Sequence, residues 1–313
     1  MKILCNFACK RGIMRHQEEL TIHSLTQNED LKVGYSDNDI VIVDSIQTYT
    51  EECRAHMTMN SILLCTNGRM NAKMNGMELE LSRHQLAVIP ENVMMTEVMV
   101  SPDFNMKAIF LTNDILQSFL HEKMNVWNDM LYVHKSHIIT IDEEREKMFG
   151  HFYDLLLHHL KHYQENPYML DVVHSLIRSE ILALCGMMKQ MLPAGTKSHI
   201  IKSANGHFQQ FLDLIHSSNV KYRSVEDYAA ELCITPKYLS AICKRQSGKT
   251  ASEWIREQVI ADIRYRLLQT DMSIKEISNV MNFPNPSFFG RYVKLYLGVT
   301  PQQYRNNNIL KTD

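Results

Sequence analysis

Apolar positions along this chain change their period more than once. From about 39 to 112 they fall into short runs: "DIVIVDSI", "MTMNSILLCT", "NAKM", "MELEL", "HQLAVIP" and "MKAIFLT". Runs of this length, broken by turn residues, predict β-strands. Asn75-Gly76 fits a two-residue hairpin turn between Met74 and Met77. Many short strands at this spacing predict a sandwich or a small barrel. From 142 the period lengthens. Phe149, Phe152, Leu156, Leu160 and Tyr163 mark one helix, with acidic residues loading its N-terminal end. Pro167 breaks the run. Ile177, Ile181, Leu184, Met188 and Met191 mark a second helix, spaced 4-3-4-3 like a coiled-coil seam. Such a pair of helices can cover the barrel or form a dimer contact.

Residues 193–206 lie within "LPAGTKSHIIKSANG", which has no stable period and is expected to be a linker. Beyond it the pattern is helical to the end, beginning with a stripe of Phe208, Phe211, Leu212 and Ile215.

That last part contains its own opening motif twice. "SVEDYAAELCITPKYLSAICK" runs from Ser224, and "SIKEISNVMNFPNPSFFGRYVK", one residue longer, from Ser273. Each starts with a capping box, Ser224 with Asp227 and Ser273 with Glu276. Each continues through a short helix, a turn and a second helix, and closes on Gly-x-Thr at Gly248 and Gly298. This predicts two helix–turn–helix units, at 224–247 and 273–297. In the first, Thr235 caps the second helix and Pro236 occupies its first position. Leu239, Ile242 and Cys243 fall on one face, and Lys237, Ser240, Ala241 and Lys244 on the other. Between the units, Trp254, Ile255, Val259, Ile263, Leu267 and Leu268 give a helix of about 27 Å. A rod of that length could hold two helices roughly one DNA turn, about 34 Å, apart.

Charge adds direction to this picture. Residues 1–195 carry 17 Lys+Arg against 25 Asp+Glu, whereas 207–306 carry 13 against 9. An acidic front joined to a basic back suggests that only the back meets a polyanion. The 7 cysteines form no C-x-x-C pair, so neither a disulfide framework nor a zinc finger is indicated. The N-terminal "MKILCNFACKRGIMRH" lacks a signal-peptide core and no run is long enough to span a bilayer, so the expected compartment is the cytoplasm.

The stretch "ISNVMNFPNPSFFGRYVKLYLGVTPQQYR", 277–305, resembles the C-terminal signature of the AraC-type (AraC/XylS) transcription regulators, including Arg291, Lys294, Gly298, Pro301, Tyr304 and Arg305. The likeness covers about 207–306, and the order of a small barrel followed by helices is similar to that family's regulatory half. It implies an α+β protein: a cupin-like β-barrel regulatory domain at 1–138, a helical dimerisation region at 139–192, the linker at 193–206, and an all-α DNA-binding domain at 207–306. By that resemblance, Lys237, Ser240, Ala241 and Lys244 on one recognition helix meet DNA, as do Asn285, Pro286, Ser287, Gly290 and Arg291 on the other. Arg291 is the strongest base reader, because its planar fork can pair with guanine; an internal ion pair is its alternative. Lys244, Arg245 and Lys294 suit phosphate. Ala241 and Gly290 offer only methyl contact or close approach. The implied partners are double-stranded promoter DNA, an unidentified small-molecule or protein effector, RNA polymerase and a second copy of the chain. The resemblance leans towards activation, although the residues themselves do not set the sign.

The front half offers no catalytic signal. Nine methionines between 57 and 106 could line a ligand cavity or fill an irregular core. Arg54, His56, Arg69 and His84 are its first polar candidates. His56-Met-Thr-Met does not supply a metal cupin's ligand cluster, and His158 with His162 offers only an incidental pair. A cupin-type enzyme would need such a cluster or paired carboxylates. An RNA-binding or architectural protein would favour a basic tail or exposed stacking aromatics. The expectation is therefore a non-enzymatic regulator without cofactor or metal.

Overall fold

The structure is a computed structural model that describes residues 18–27, 31–46, 54–120, 123–133, 135, 137–162, 167–190, 204–216 and 224–309. The N-terminal "MKILCNFACKRGIMRH", Tyr163, Met191 and residues 193–203 of the expected linker lie outside them. Residues 204–206 instead begin a helix.

Eleven described strands form two sheets. β1 (Glu18–Leu20), β4 (Arg54–Met57), β9 (Val93–Val100), β6 (Arg69–Met74) and β7 (Met77–Ser82) lie side by side in that order. The other sheet runs β11 (Ile138–Thr140), β8 (Gln85–Ile89), β5 (Asn60–Asn67), β10 (Asn105–Leu111), β3 (Ile40–Ile46) and β2 (Leu31–Ser36). A five-residue helix, α1 (Ile22–Thr26), follows β1. All pairings are antiparallel except β1 with β4. Asn75 and Gly76 have φ of 49° and 82°, and Met74 pairs Met77, as the hairpin requires.

The core lies between the sheets. Ala55, Met57, Met70, Ala72, Leu79, Leu81, Val93 and Met95 meet Val41, Val43, Leu63, Cys65, Ala87, Ile89, Ala108 and Phe110 in one buried cluster. Six of the nine methionines, 57, 59, 70, 74, 95 and 106, are buried, while Met77 and Met99 are exposed. Their main role is packing. β6 and β7 alternate buried and exposed positions, as a sheet with one wet face must. β5 is buried through six consecutive residues. That uninterrupted run reflects a second cover over the six-stranded sheet, to which α4 (Glu143–Lys161) contributes. Leu157 of α4 closes on Gly34 of β2, and Lys107 of β10 reaches Asp154 at 3.0 Å and lies over the Tyr153 ring. On α5 (Met169–Gln190), Ile177, Ile181, Leu184 and Met188 are all buried within the single chain. The seam spacing therefore serves this chain's own core.

The chain divides into two compact units, and the division is not linear. Residues 117–134 group with 189–313, whereas 135–188 group with the first 116. The boundary falls within α2 (Asn113–Leu120), beyond which come α3 (Met124–Asn128) and a π-helical turn, Asp129–Val133. The C-terminal unit continues with α6 (Ala204–His216), α7 (Val225–Glu231), α8 (Pro236–Ser247), α9 (Ala251–Gln269), α10 (Ile274–Val280), α11 (Pro286–Leu297) and α12 (Pro301–Ile309).

Candidate nucleic-acid interface

The two repeats fold alike because their local chemistry matches. Ser224 and Ser273 each accept from the amide three residues on, and Asp227 and Glu276 each return a bond to the cap amide. Those hydrogen bonds, from the Ser273 hydroxyl first, hold the Glu276 carboxyl below its usual range. Cys233 and Asn282 follow at the turn, both with positive φ. Thr235 and Asn285 then cap the second helices, with Pro236 and Pro286 at the first position. Gly248 and Gly298 end them with φ of 78° in both. Thr250 with Glu253 and Thr300 with Gln303 restart the chain into the following helices.

Packing then decides which face of each recognition helix is presented. On α8, Leu239, Ile242 and Cys243 are buried, and burial pushes the Cys243 thiol up to about 12. Lys237, Ala241, Lys244 and Arg245 are exposed and Ser240 is half-buried. On α11, Phe289 and Val293 are buried, Ser287, Arg291 and Lys294 are exposed, as are Asn285 and Pro286 at its start, and Gly290 is half-buried. Phe283 anchors this second unit, with ring centroids 5.1 Å from Phe289 and 5.2 Å from Tyr292. No predicted interface residue is hidden in the core.

Five cations lie on these faces. Lys237, Lys244, Arg245, Arg291 and Lys294 make no ion pair among the described residues. The Arg291 guanidinium lies over the Phe288 ring, 5.9 Å from its centroid. That is not the internal ion pair considered as its alternative. Other basic residues are committed to the fold: Lys249 to Glu257 at 2.6 Å, Arg266 to Asp262 at 3.1 Å, and Arg305 to the carbonyls of Leu267 and Met272. Arg305, part of the family-like signature, is thus a brace between α9 and α12.

Two candidates gain detail. The Asn285 Oδ1 accepts from the Phe288 amide at 2.8 Å, so part of its acceptor capacity is committed to the cap while its amide nitrogen remains for a base. A Cβ on Gly290 would meet nothing within 4 Å, so protein packing does not demand glycine there. Tyr238 is 45 % exposed beside Lys237, with its ring 6.1 Å from His207. Its place on the outer arc was legible, since it stands three residues before Ala241. Leu268, counted on the apolar face of the rod, is also exposed, and that face consists of Trp254, Ile255, Val259, Ile263 and Leu267.

In the front unit, His56 is half-buried and Arg69 exposed, and the Arg54 side chain lies outside the described ones. His84 Nδ1 lies 2.5 Å from Glu146 Oε2. His158 and His162 stack at 4.6 Å, but no group of three metal-capable side chains occurs among the described residues. No described helix is long and apolar enough to cross a membrane.

Residues 228–307 match the family model of a helix-turn-helix domain. The Msm operon regulatory protein of Streptococcus mutans is 25 % identical over 140 residues, 45 % of this chain and 50 % of that protein. The regulatory protein PocR of Salmonella typhimurium is 31 % identical over 81 residues, covering 26 % and 27 % of the two chains. The arabinose operon regulatory protein of Escherichia coli is 28 % identical over 97 residues, covering 31 % and 32 %. In each of these pairs the match spans half or less of the relative's length.

Proposed function

We propose, from the premise that residues 228–307 form an AraC-type helix-turn-helix domain, that this protein is a sequence-specific regulator of transcription whose two recognition helices read adjacent major-groove segments of one duplex. The observation that carries this reading is the matched pair of frames. Each buries one face of its second helix and leaves on the other cations that make no ion pair among the described residues. α9, at 19 residues, is about 28 Å long and suits two readers one turn apart. Arg291 reads bases from α11, and Lys244, Arg245 and Lys294, in the last turns of the two helices, hold phosphates. Lys237, Ser240, Ala241, Asn285, Ser287 and Gly290 complete the contact faces.

The front unit is the controlling part: it answers a small molecule or a protein and biases occupancy of the promoter, acting on RNA polymerase as an activator. The protein works in the cytoplasm as a homodimer. Since the seam of α5 is already buried, the surface for a second copy is the outer side of α4 and α5, where Met148, Leu155, Leu170, Val172 and Leu182 are exposed.

Selection of duplexes from a random pool by the full chain tests the reading. The expected product is a pair of elements about 10 base pairs apart, bound at least a thousandfold more tightly than random duplex at fixed salt. A pool that does not enrich overturns it.

A further inference from the structure

We infer that residues 117–120 and 123–133 are the element through which the front unit controls α8, and α8 in preference to α11. The chain leaves the six-stranded sheet at Leu111, the end of β10, and re-enters it at Ile138, the start of β11. The stretch between is therefore tied to the front unit at both ends. In its middle it belongs to the core of the other unit.

The attachment is apolar and tight. Leu120, Met124, Trp127, Met130, Leu131 and Tyr132 are all buried. α3 and the π-turn pack on α6, and the π-turn also packs on α8. Tyr132 meets the Trp254 ring edge-on at 5.4 Å, and Phe208 of α6 approaches the same ring at 6.2 Å. Asp129 Oδ1 accepts from Gln209 Nε2 at 3.3 Å. The Trp254 Nε1 donates in turn to Ser247 Oγ at 2.8 Å, in the last turn of α8. A chain of contacts thus runs from the π-turn through Trp254 to the recognition helix. α11 packs chiefly on α10 and α12, and it meets α9 through Arg256, which lies over the Tyr296 ring, rather than through Trp254.

A pull or a twist at Leu111 or Ile138 is therefore passed to the support of one reader while the other keeps its own. Regulation would grade the grip on one half-site. This consequence for DNA rests on the function proposed above; the coupling within the protein does not.

The chain has 2 tryptophans, and both lie in this junction: Trp127 on the segment and Trp254 on α9. Fluorescence excited selectively at tryptophan, beyond the absorption of the 13 tyrosines, consequently reports on these two side chains alone. In full-length Tyr132→Ala, acrylamide quenching is expected to at least double. Amide exchange over 239–247 should rise at least tenfold, while 289–297 and the strands stay within twofold. Tyr132→Phe, which keeps the ring against Trp254, should lie much nearer the parent than Tyr132→Ala. If Tyr132→Ala does not fold, Gln209→Ala removes the hydrogen bond to Asp129 and should give the same order with about a threefold rise. Equal acceleration in α8 and α11, or none in α8, overturns the coupling. With a pool-selected duplex, Tyr132→Ala should lose preference at one element and keep it at the other. A parent chain that binds no duplex defeats the DNA reading and leaves the exchange result to judge the coupling.

Discussion

Cys233 and Asn282 adopt the same left-handed backbone, with φ of 55° and 57°, at the matching turns of the two helix–turn–helix units. Their amides donate to Ala230 and Asn279 carbonyls at 3.1 and 3.0 Å, and the next amides, of Ile234 and Phe283, donate to Ala229 and Ser278 at 2.9 and 3.0 Å. One turn geometry therefore sets both helix crossings, although one site carries a residue that tolerates it and the other does not. Asparagine visits this region readily; cysteine does so at a cost of about 1–2 kcal/mol. Cys233→Gly should accordingly stabilise the C-terminal unit by about 0.5–1 kcal/mol, whereas Asn282→Gly should change little. Urea midpoints followed by tryptophan fluorescence check both.

The helix residue that meets open space predicts opposite effects on folding and binding. Gly290 lies inside α11, where alanine is preferred by about 0.5–1 kcal/mol, and a Cβ there touches nothing. Gly290→Ala is expected to raise the melting temperature and, on the contact face proposed above, to weaken DNA binding by crowding the duplex. An alanine variant that binds as well as the parent would remove Gly290 from the contact face.

Roles on the two readers separate by their salt and sequence dependence. Arg291→Ala should reduce discrimination at one base pair by about 1–3 kcal/mol. Lys244→Ala should weaken all duplexes about equally and reduce the salt slope by about one phosphate contact. Competition titrations over a range of salt concentrations distinguish the two; uniform loss in both variants would mean that Arg291 only positions.

A buried hydroxyl in the second repeat marks a removable cost. Ser278 and Ala229 accept the matching turn bonds in their units and both are fully buried, but Ser278 Oγ has no hydrogen-bond partner among the described residues. Ser278→Ala is expected to stabilise the unit by about 1 kcal/mol, and Ala229→Ser to destabilise it similarly. Thermal melts of the two variants suffice.

Acid should weaken the front unit through His137. Its Nδ1 lies 3.2 Å from the Val88 carbonyl oxygen and its ring is buried; that burial, with the Lys135 charge adding to it, lowers its pKa to about 4. The unfolded chain takes up this proton near pH 6.5 and the folded chain only near 4, so between those values the unfolded state binds more protons. Stability is therefore present above pH 6.5 and is lost as pH falls towards 4, by up to about 3 kcal/mol. His137→Gln should flatten that slope. An unchanged pH profile would show that the ring is solvated.

Much of the C-terminal unit was legible because its instructions are local. Capping boxes, prolines at the first helical position and glycines at the C-caps act within four residues, so Ser224, Pro236, Gly248 and their counterparts named each boundary. Asn75-Gly76 did the same for its hairpin. Exposure was harder to read: Tyr238 and Leu268 look like core residues by type, and only the position of neighbouring helices leaves them outside. The 4-3-4-3 spacing of α5 shows that one face is apolar and is silent on its partner, since a sheet, a helix or a second copy would each accept it.

By itself, then, the sequence determined which segments become helices and strands, where they start and stop, and which face of α8 and α11 carries cations, because hydrogen-bond caps and side-chain period are properties of a few adjacent residues. Only the tertiary structure decided that the stretch around Trp127 and Tyr132, flanked on both sides by front-unit chain, completes the core beneath α8. Burial depends on which distant surfaces meet. No local pattern in residues 117–134 names Trp254 or Gln209 as the partner.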